Sequence, residues 1–221
     1  MAHLTCVGQS RDEIHGVLTR LEQAGIENLI ALRGDPPRGQ SDFVPVQGGF
    51  SHATDLIHHI NRNFSFDIAA ACYPEGHLES SDLERDLEYT KMKLEMGASF
   101  LITQLFFDNR YFYSFMDRAR RAGIDAPVLA GILPILNTQQ IRRFTALCGS
   151  AIPPEIDERL DQLADDKEAT RELGVEIATQ QVRELLEWGV DGVHFYALNR
   201  SHSISRILTN LGFSKNSPPD S

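Results

Sequence analysis

The sequence predicts an α/β fold of parallel strands with helical crossovers, matched by a (β/α)8 TIM-type barrel of which about six βα units are present. Three observations carry this. Short apolar, β-branched runs alternate with polar loops and stretches of helical period. The runs are too continuous for strands with one wet face, so both faces are expected to be covered, as in a parallel sheet. Neither G-x-G-x-x-G nor G-x-x-x-x-G-K-[ST] occurs, which weighs against a doubly wound dinucleotide-binding sheet. The chain's 221 residues fall short of the roughly 250 usual for a complete barrel.

The strands are expected at His3–Val7, Asn28–Gly34, Asp67–Pro74, Ser99–Gln104, Pro127–Pro134 and Gly192–Leu198. After the first, Ser10 can cap a helix whose first turn holds Asp12 and Glu13. Its apolar stripe is Ile14, Val17, Leu18 and Leu21, and Gly25 ends it. His58 and His59 are adjacent on a further helix, so they point apart and are read as solvated. Near Ser81 a helix begins with Leu83, Leu87, Thr90 and Leu94 on one face, ending at Gly97. The next carries Phe112, Phe115, Met116 and Ala119 before Gly123, and another Ile141, Phe144 and Leu147. Two helical stretches, about Pro154–Leu163 and Lys167–Trp188, then precede the last strand, so one helix is read as an insertion. Residues 1–213 read as a single barrel domain and Ser214–Ser221 as a frayed tail.

Composition narrows the function. With 42% hydrophobic and 24% charged residues the chain is an ordinary globular protein, not collagen, coiled coil or wholesale disorder. No apolar run is long enough to span a bilayer, and no signal-peptide core follows Met1. Cys6, Cys72 and Cys148 are odd in number and far apart, which suggests reduced thiols and a cytoplasmic protein. A net charge of −10 argues against nucleic-acid or membrane partners, while leaving room for a local basic pocket.

In a barrel, chemistry sits where the strands end. That places Thr5, Arg33–Asp35, Tyr73–Glu75, Gln104, Asn137 and Asn199–Arg200 around one mouth. Arg33 can bind phosphate, Gly34 permits close backbone approach, and Asp35 supplies a fixed negative charge. A strand-capping Arg33–Asp35 ion pair is an equal reading of the same residues. Tyr73 offers a flat face and a hydroxyl, and His77 a donor or proton relay. No spacing of His and Cys supports a metal site. Asp86, Tyr89 and Lys93 share one helical stripe, for which a solvated, salt-bridged face is the simpler reading. Gln104 can donate and accept at once, suiting an amide or pterin edge, or it can satisfy loop backbone. Gln140 and Phe144 share a helix face, and Arg200 suits a carboxylate or phosphate.

Together these segments resemble the flavin-dependent methylenetetrahydrofolate reductases. The matching words are His3–Cys6, Ala31–Asp35, Tyr73–Glu75 with His77, Ile102–Gln104 with Phe106–Asp108, Gly131–Pro134 and His194–Arg200, in family order across almost the whole chain. The resemblance implies a barrel with FAD at its C-terminal mouth. It implies hydride transfer from NADH or NADPH to FAD, then to 5,10-methylenetetrahydrofolate, giving 5-methyltetrahydrofolate. It places His3, Arg33, Gly34, Asp35, Ala53, Tyr73, His77, Asp86, Tyr89 and Lys93 around FAD, with Tyr89 departing from the family's residue type. Met92 stands where some relatives have Arg. Gln104, Gln140, Phe144 and Arg200 match positions touching folate or nicotinamide, and Asp35 and Gln104 are implied to be catalytic. The family is often homo-oligomeric.

The chain opens at what resembles the family's third strand. The resemblance implies two earlier βα units, bearing a Glu that protonates folate and a Thr-containing flavin segment. If the 221 residues are the whole chain, folate reduction is expected to be impaired and two sheet edges left raw. A non-catalytic flavin-binding remnant is the alternative. A barrel lyase using Lys93 as a Schiff base is a weaker one, because Lys93 falls on a helix.

Overall fold

The computed structural model describes residues 1–36, 39, 42–163 and 166–213. Six strands occur in the order β1 (Ala2–Thr5), β2 (Asn28–Leu32), β3 (Asp67–Cys72), β4 (Phe100–Thr103), β5 (Val128–Ile132) and β6 (Gly192–Phe195). All run parallel with helical crossovers, and their sheet order is their sequence order, open at β1 and β6. The expected α/β class and about six βα units are therefore present. Each strand stops short of its expected end, although single backbone bonds continue beyond β1, from Cys6 N–H to Arg33 O, and beyond β6, from Tyr196 N–H to Ile132 O. The expected tail at Ser214–Ser221 lies outside the described residues.

The described residues form two compact units. One comprises Met1–Cys72, Ser81–Ile102 and Arg121–Pro127; the other comprises Tyr73–Ser80, Thr103–Arg120 and the chain from Val128 onward.

In the first unit, β1 pairs with β2 from Ala2↔Leu29 to Thr5↔Leu32, and β2 with β3 from Asn28↔Asp67 to Ala31↔Ala70. Three helices accompany them: α1 (Arg11–Gln23), α2 (Ala53–Asn63) and α3 (Leu83–Glu95). Ser10 caps α1 through a reciprocal box with Glu13, as its spacing predicts. Ile14 and Leu18 of α1, Leu56, Ile57 and Ile60 of α2, and Leu29 and Ile68 of the strands make its core. Cys6 and Cys72 are buried, and burial pushes the Cys6 thiol up to about 12 and Cys72 upward as well, so both are unreactive thiols.

Two expectations fail here. Of the expected α3 face, Thr90 is buried, Leu87 and Leu94 are half-buried and Leu83 is exposed, while the unexpected Asp86 is buried beside Thr90. The cap is Asp82, one residue after Ser81, and the polar stripe turns inward where Lys93 reaches the carbonyl of Ala71 in β3. His59 is not solvated as His58 is. Its ring is half-buried, 5.2 Å from Phe50, and its Nε2 lies 3.3 Å from His15 Nδ1. Burial, then the charges of His15, Arg11 and His58, hold the His59 pKa below its ordinary 6.5. The unfolded chain therefore takes up this proton at higher pH than the folded chain. The associated stability is complete above about pH 6.5 and lost as pH falls toward the folded value. Thermal melts from about pH 7.5 down to about pH 5.5 are expected to fall more steeply for the parent than for His59→Gln. Equal slopes would remove His59 as a source of acid sensitivity.

In the second unit, β5 pairs with β6 from Leu129↔Gly192 to Ile132↔Phe195. Its helices are α4 (Asn109–Arg121), α5 (Thr138–Cys148), α6 (Pro154–Gln162), α7 (Lys167–Trp188) and α8 (Ser201–Asn210). α4 buries Phe112, Phe115, Met116 and Ala119, and α6 and α7 fall where the sequence places them. Leu105, Phe107, Leu133, Ile135, Ile141, Leu160 and Leu173 form one apolar cluster. Leu147 departs from its expected stripe and is 69% exposed. Six helical residues beyond the buried Ile141 rotate it about 240°, to the far side of α5.

Candidate functional site

The first unit gathers one group of candidate residues. β2 ends at Leu32, and Cys6 N–H still donates to Arg33 O at 3.0 Å, which fixes the start of the Arg33–Asp35 turn. Gly34 has φ +84°, and a Cβ there would stand 2.6 Å from Val7 Cγ2 and 3.1 Å from Thr5 Cβ. Glycine is required both by the left-handed backbone and by this approach. The Arg33 guanidinium lies over Phe43, 5.4 Å from the ring centroid, while Asp35 is exposed. His3 is exposed on β1, and Ala53 is the half-buried first residue of α2.

On α3, Asp86 is 4% exposed, and Lys93 Nζ donates to Ala71 O at 2.8 Å. Burial lowers the Lys93 pKa, Asp86 and Cys72 oppose that, and Arg33 adds to it. Arg33 and Lys93 thus feel one another's charge, with Asp86 as a nearby counter-charge. Tyr89 is exposed beneath the Arg85 guanidinium, 4.9 Å away. The solvated-face reading of this stripe holds for Tyr89 and fails for Asp86 and Lys93.

The second unit gathers the others. Tyr73 and His77 meet edge to face, with centroids 4.6 Å apart. His77 Nδ1 accepts the Glu79 N–H at 3.1 Å, which assigns its proton to Nε2. Glu75 accepts the Ala151 N–H at 3.0 Å through Oε2, while its buried Oε1 has no partner among the described residues. Burial raises its pKa, the Asp108 charge adds to this, and the Ala151 bond opposes it.

Gln104 Oε1 accepts its neighbour Leu105 N–H at 2.9 Å, as the loop-satisfying reading anticipates. Thr103, just before it, is held twice: Oγ1 accepts Gly131 N–H at 2.9 Å and its carbonyl accepts the Tyr196 hydroxyl at 2.8 Å. A Cβ at Gly131 would lie 2.2 Å from Thr103 O, so only glycine permits this approach. Asn137 Oδ1 caps α5 by accepting Gln140 N–H at 2.8 Å. Gln140 is exposed, Phe144 is half-buried, and both line a small depression with Leu133, Pro134 and Leu198. Leu198 and Asn199 have φ of 47° and 58°, left-handed values that leucine rarely adopts, and they deliver an exposed Arg200 at the start of α8.

Sequence reasoning missed Tyr196 and Glu75 as structural anchors. Tyr196 follows directly on β6, and nothing local names Thr103, 93 residues earlier, as the acceptor of its hydroxyl.

A family model described as methylenetetrahydrofolate reductase matches residues 1–212. The maize protein "Methylenetetrahydrofolate reductase (NADH) 1" is 40% identical over 223 residues, covering 96% of this chain and 38% of the relative. The Escherichia coli "5,10-methylenetetrahydrofolate reductase" is 37% identical over 210 residues, covering 95% of this chain and 69% of the relative. The chain thus spans little more than a third of the plant relative's length and about two thirds of the bacterial one's. Among solved structures, a Clostridium thermocellum protein that binds two copies of 5-methyl-5,6,7,8-tetrahydrofolic acid aligns with a TM-score of 0.51 at 13% identity. That alignment covers 95% of this chain and 92% of the other, and establishes a shared fold alone. The match across nearly the whole sequence, at an identity well above that of fold-level likeness, means that this chain belongs to the methylenetetrahydrofolate reductase family.

Proposed function

We propose that this chain binds FAD and reduces 5,10-methylenetetrahydrofolate to 5-methyltetrahydrofolate with NADH or NADPH. The observation that carries this reading is the family match over residues 1–212. The maize relative's name specifies NADH, which favours that reductant.

The first unit suits an anionic dinucleotide cofactor. Lys93 and Arg33 are cations in one electrostatic neighbourhood, and Gly34 holds the Arg33–Asp35 turn in a left-handed conformation packed on Val7 and Thr5. Arg33 and Lys93 would hold the pyrophosphate, with His3, Ala53, Asp86 and Tyr89 around the remainder; Tyr73 and His77 are assigned to the same cofactor by the family resemblance alone. The flavin, when bound, supplies hydride acceptance and delivery; the chain supplies placement and charge. Asp35 favours positive charge on the folate iminium that receives the hydride. Gln104, with its oxygen already committed to Leu105, offers its NH2 to a pterin or carboxamide acceptor. Phe144 and Gln140 present a flat apolar face beside an amide, and Arg200 a cation for a carboxylate or phosphate.

The purified protein is expected to be yellow, to bleach with NADH under anaerobic conditions, and to recolour on adding methylenetetrahydrofolate. A colourless protein that gains no flavin on incubation with FAD would refute the reading. A yellow protein that no nicotinamide bleaches would select the flavin-binding remnant. Lys93→Met keeps the side-chain length and removes the charge, so FAD affinity is expected to fall tenfold or more, about 1.4 kcal/mol. Flavin fluorescence titration measures this, and unchanged affinity would remove Lys93 from the cofactor site.

A further inference from the structure

The loop that carries Gln104 is fixed by side chains rather than by the sheet. β4 ends at Thr103. From Thr103 to Phe106, three of the four backbone carbonyls take a donor from a distant side chain. Thr103 O accepts the Tyr196 hydroxyl at 2.8 Å, Leu105 O the Ser150 hydroxyl at 2.7 Å, and Phe106 O the Gln181 Nε2 at 2.8 Å. These donors lie 93, 45 and 75 residues away, just after β6, just after α5 and within α7.

Tyr196 and Ser150 bracket Gln104 itself. The Tyr196 bond falls on the carbonyl of the peptide whose nitrogen belongs to Gln104, and a planar peptide fixed at its oxygen is fixed at its nitrogen too. The tyrosine ring reaches it across Gly131: a Cβ there would stand 2.8 Å from Tyr196 Cε2 and 2.2 Å from Thr103 O. Filling the space beside Gly131 needs only a ring; the Tyr196 hydroxyl goes further and holds the Thr103 carbonyl. On the other side, Gln104 Oε1 accepts Leu105 N–H at 2.9 Å while Ser150 holds the Leu105 carbonyl. A carboxamide held at its oxygen, between two held residues, has its NH2 aimed before a ligand arrives, so little freedom is lost on binding.

We infer that Tyr196, with Ser150 as second support, is a positioning residue for Gln104, keeping the carboxamide NH2 turned toward the pterin of a bound folate. This inference rests on the folate reading of Gln104 proposed above. Tyr196 and Ser150 act through Gln104, not on the substrate.

Tyr196→Phe keeps the ring and removes the donor. Ser150→Ala removes the donor at the second support and decides the matter if Tyr196→Phe folds poorly. Heteronuclear NMR of the full chain identifies the Gln104 side-chain NH2 as the cross-peaks lost in Gln104→Ala. In the parent these are expected apart from those of exposed glutamines. In Tyr196→Phe and in Ser150→Ala they are expected to move toward them, with backbone cross-peaks elsewhere unchanged. Calorimetric titration with 5-methyltetrahydrofolate is expected to show affinity about fivefold weaker in each variant. No further loss is expected when either is added to Gln104→Ala, whereas a general structural role predicts a loss that repeats in full without Gln104. Unmoved Gln104 cross-peaks in both variants, or a loss that adds to that of Gln104→Ala, would overturn the inference. A parent that does not bind, or Gln104→Ala with the parent's affinity, would overturn the folate reading itself and this inference with it.

Discussion

Asp35→Asn is expected to lower methylenetetrahydrofolate reduction by on the order of 10²-fold while leaving NADH-driven reduction of menadione within a few-fold of the parent. The substitution keeps the size and one oxygen of the side chain and removes its charge. Asp35 is exposed at the end of β2, on a turn fixed by Gly34 and the Cys6–Arg33 backbone bond. Its replacement should therefore cost little stability. A negative charge there matters only to a partner that becomes positive, and in the proposed reaction that partner is the folate iminium. The quinone acceptor passes through no such cation, so the two activities separate an electrostatic role from general damage. Equal losses in both assays would show that Asp35 serves the flavin or the fold instead.

Gly174→Ala is expected to destabilise the chain by about 3 kcal/mol or more, a fall of roughly 6–12 °C in Tm for a chain of this size. Helix propensity alone predicts the opposite, since alanine in a helix interior gains ~1 kcal/mol over glycine. Gly174 lies inside α7, however, where an added Cβ would stand 1.9 Å from Ile135 O and 2.8 Å from its carbonyl carbon. The obstacle is backbone at the edge of a core cluster, which cannot swing aside as a side-chain tip does. The clash therefore outweighs the propensity gain. Differential scanning calorimetry decides the sign: a Tm equal to or above the parent's would mean that α7 and the Ile135 segment separate easily.

Much of the fold was legible because it is written in near neighbours. The Ser10–Glu13 spacing specifies a capping box, and it forms. The α4 stripe and the paired helices α6 and α7 follow from spacings of three and four residues, which any helix reads alike. The failures share one cause. On α3, Asp86 rather than Leu83 joins Thr90 among the buried side chains, and Lys93 on the same stripe donates to Ala71, 22 residues earlier. On α2, His58 and His59 are equivalent in composition, and His15, 44 residues away, distinguishes them.

The candidate site divides in the same way. Arg33–Asp35, Tyr73, His77, Gln104 and Arg200 were identifiable because each follows a strand, and strand ends are where such folds place chemistry. Sequence left open whether Gln104 satisfies loop backbone, as its oxygen does at Leu105, and did not disclose that Tyr196 clamps Thr103 from 93 residues away.

By itself, then, the sequence determined the βα rhythm, the element boundaries to within a few residues and the family, since all three depend on local period and on words in order. Only the tertiary structure decided which polar groups turn inward or meet: Lys93 and Asp86 turn inward, Tyr196 meets Thr103, and Glu184 meets Asn109. The physical reason is that hydrogen bonds and burial depend on distance in space, and chain crossings such as Gly131 over Thr103 bring together residues that no sequence interval relates.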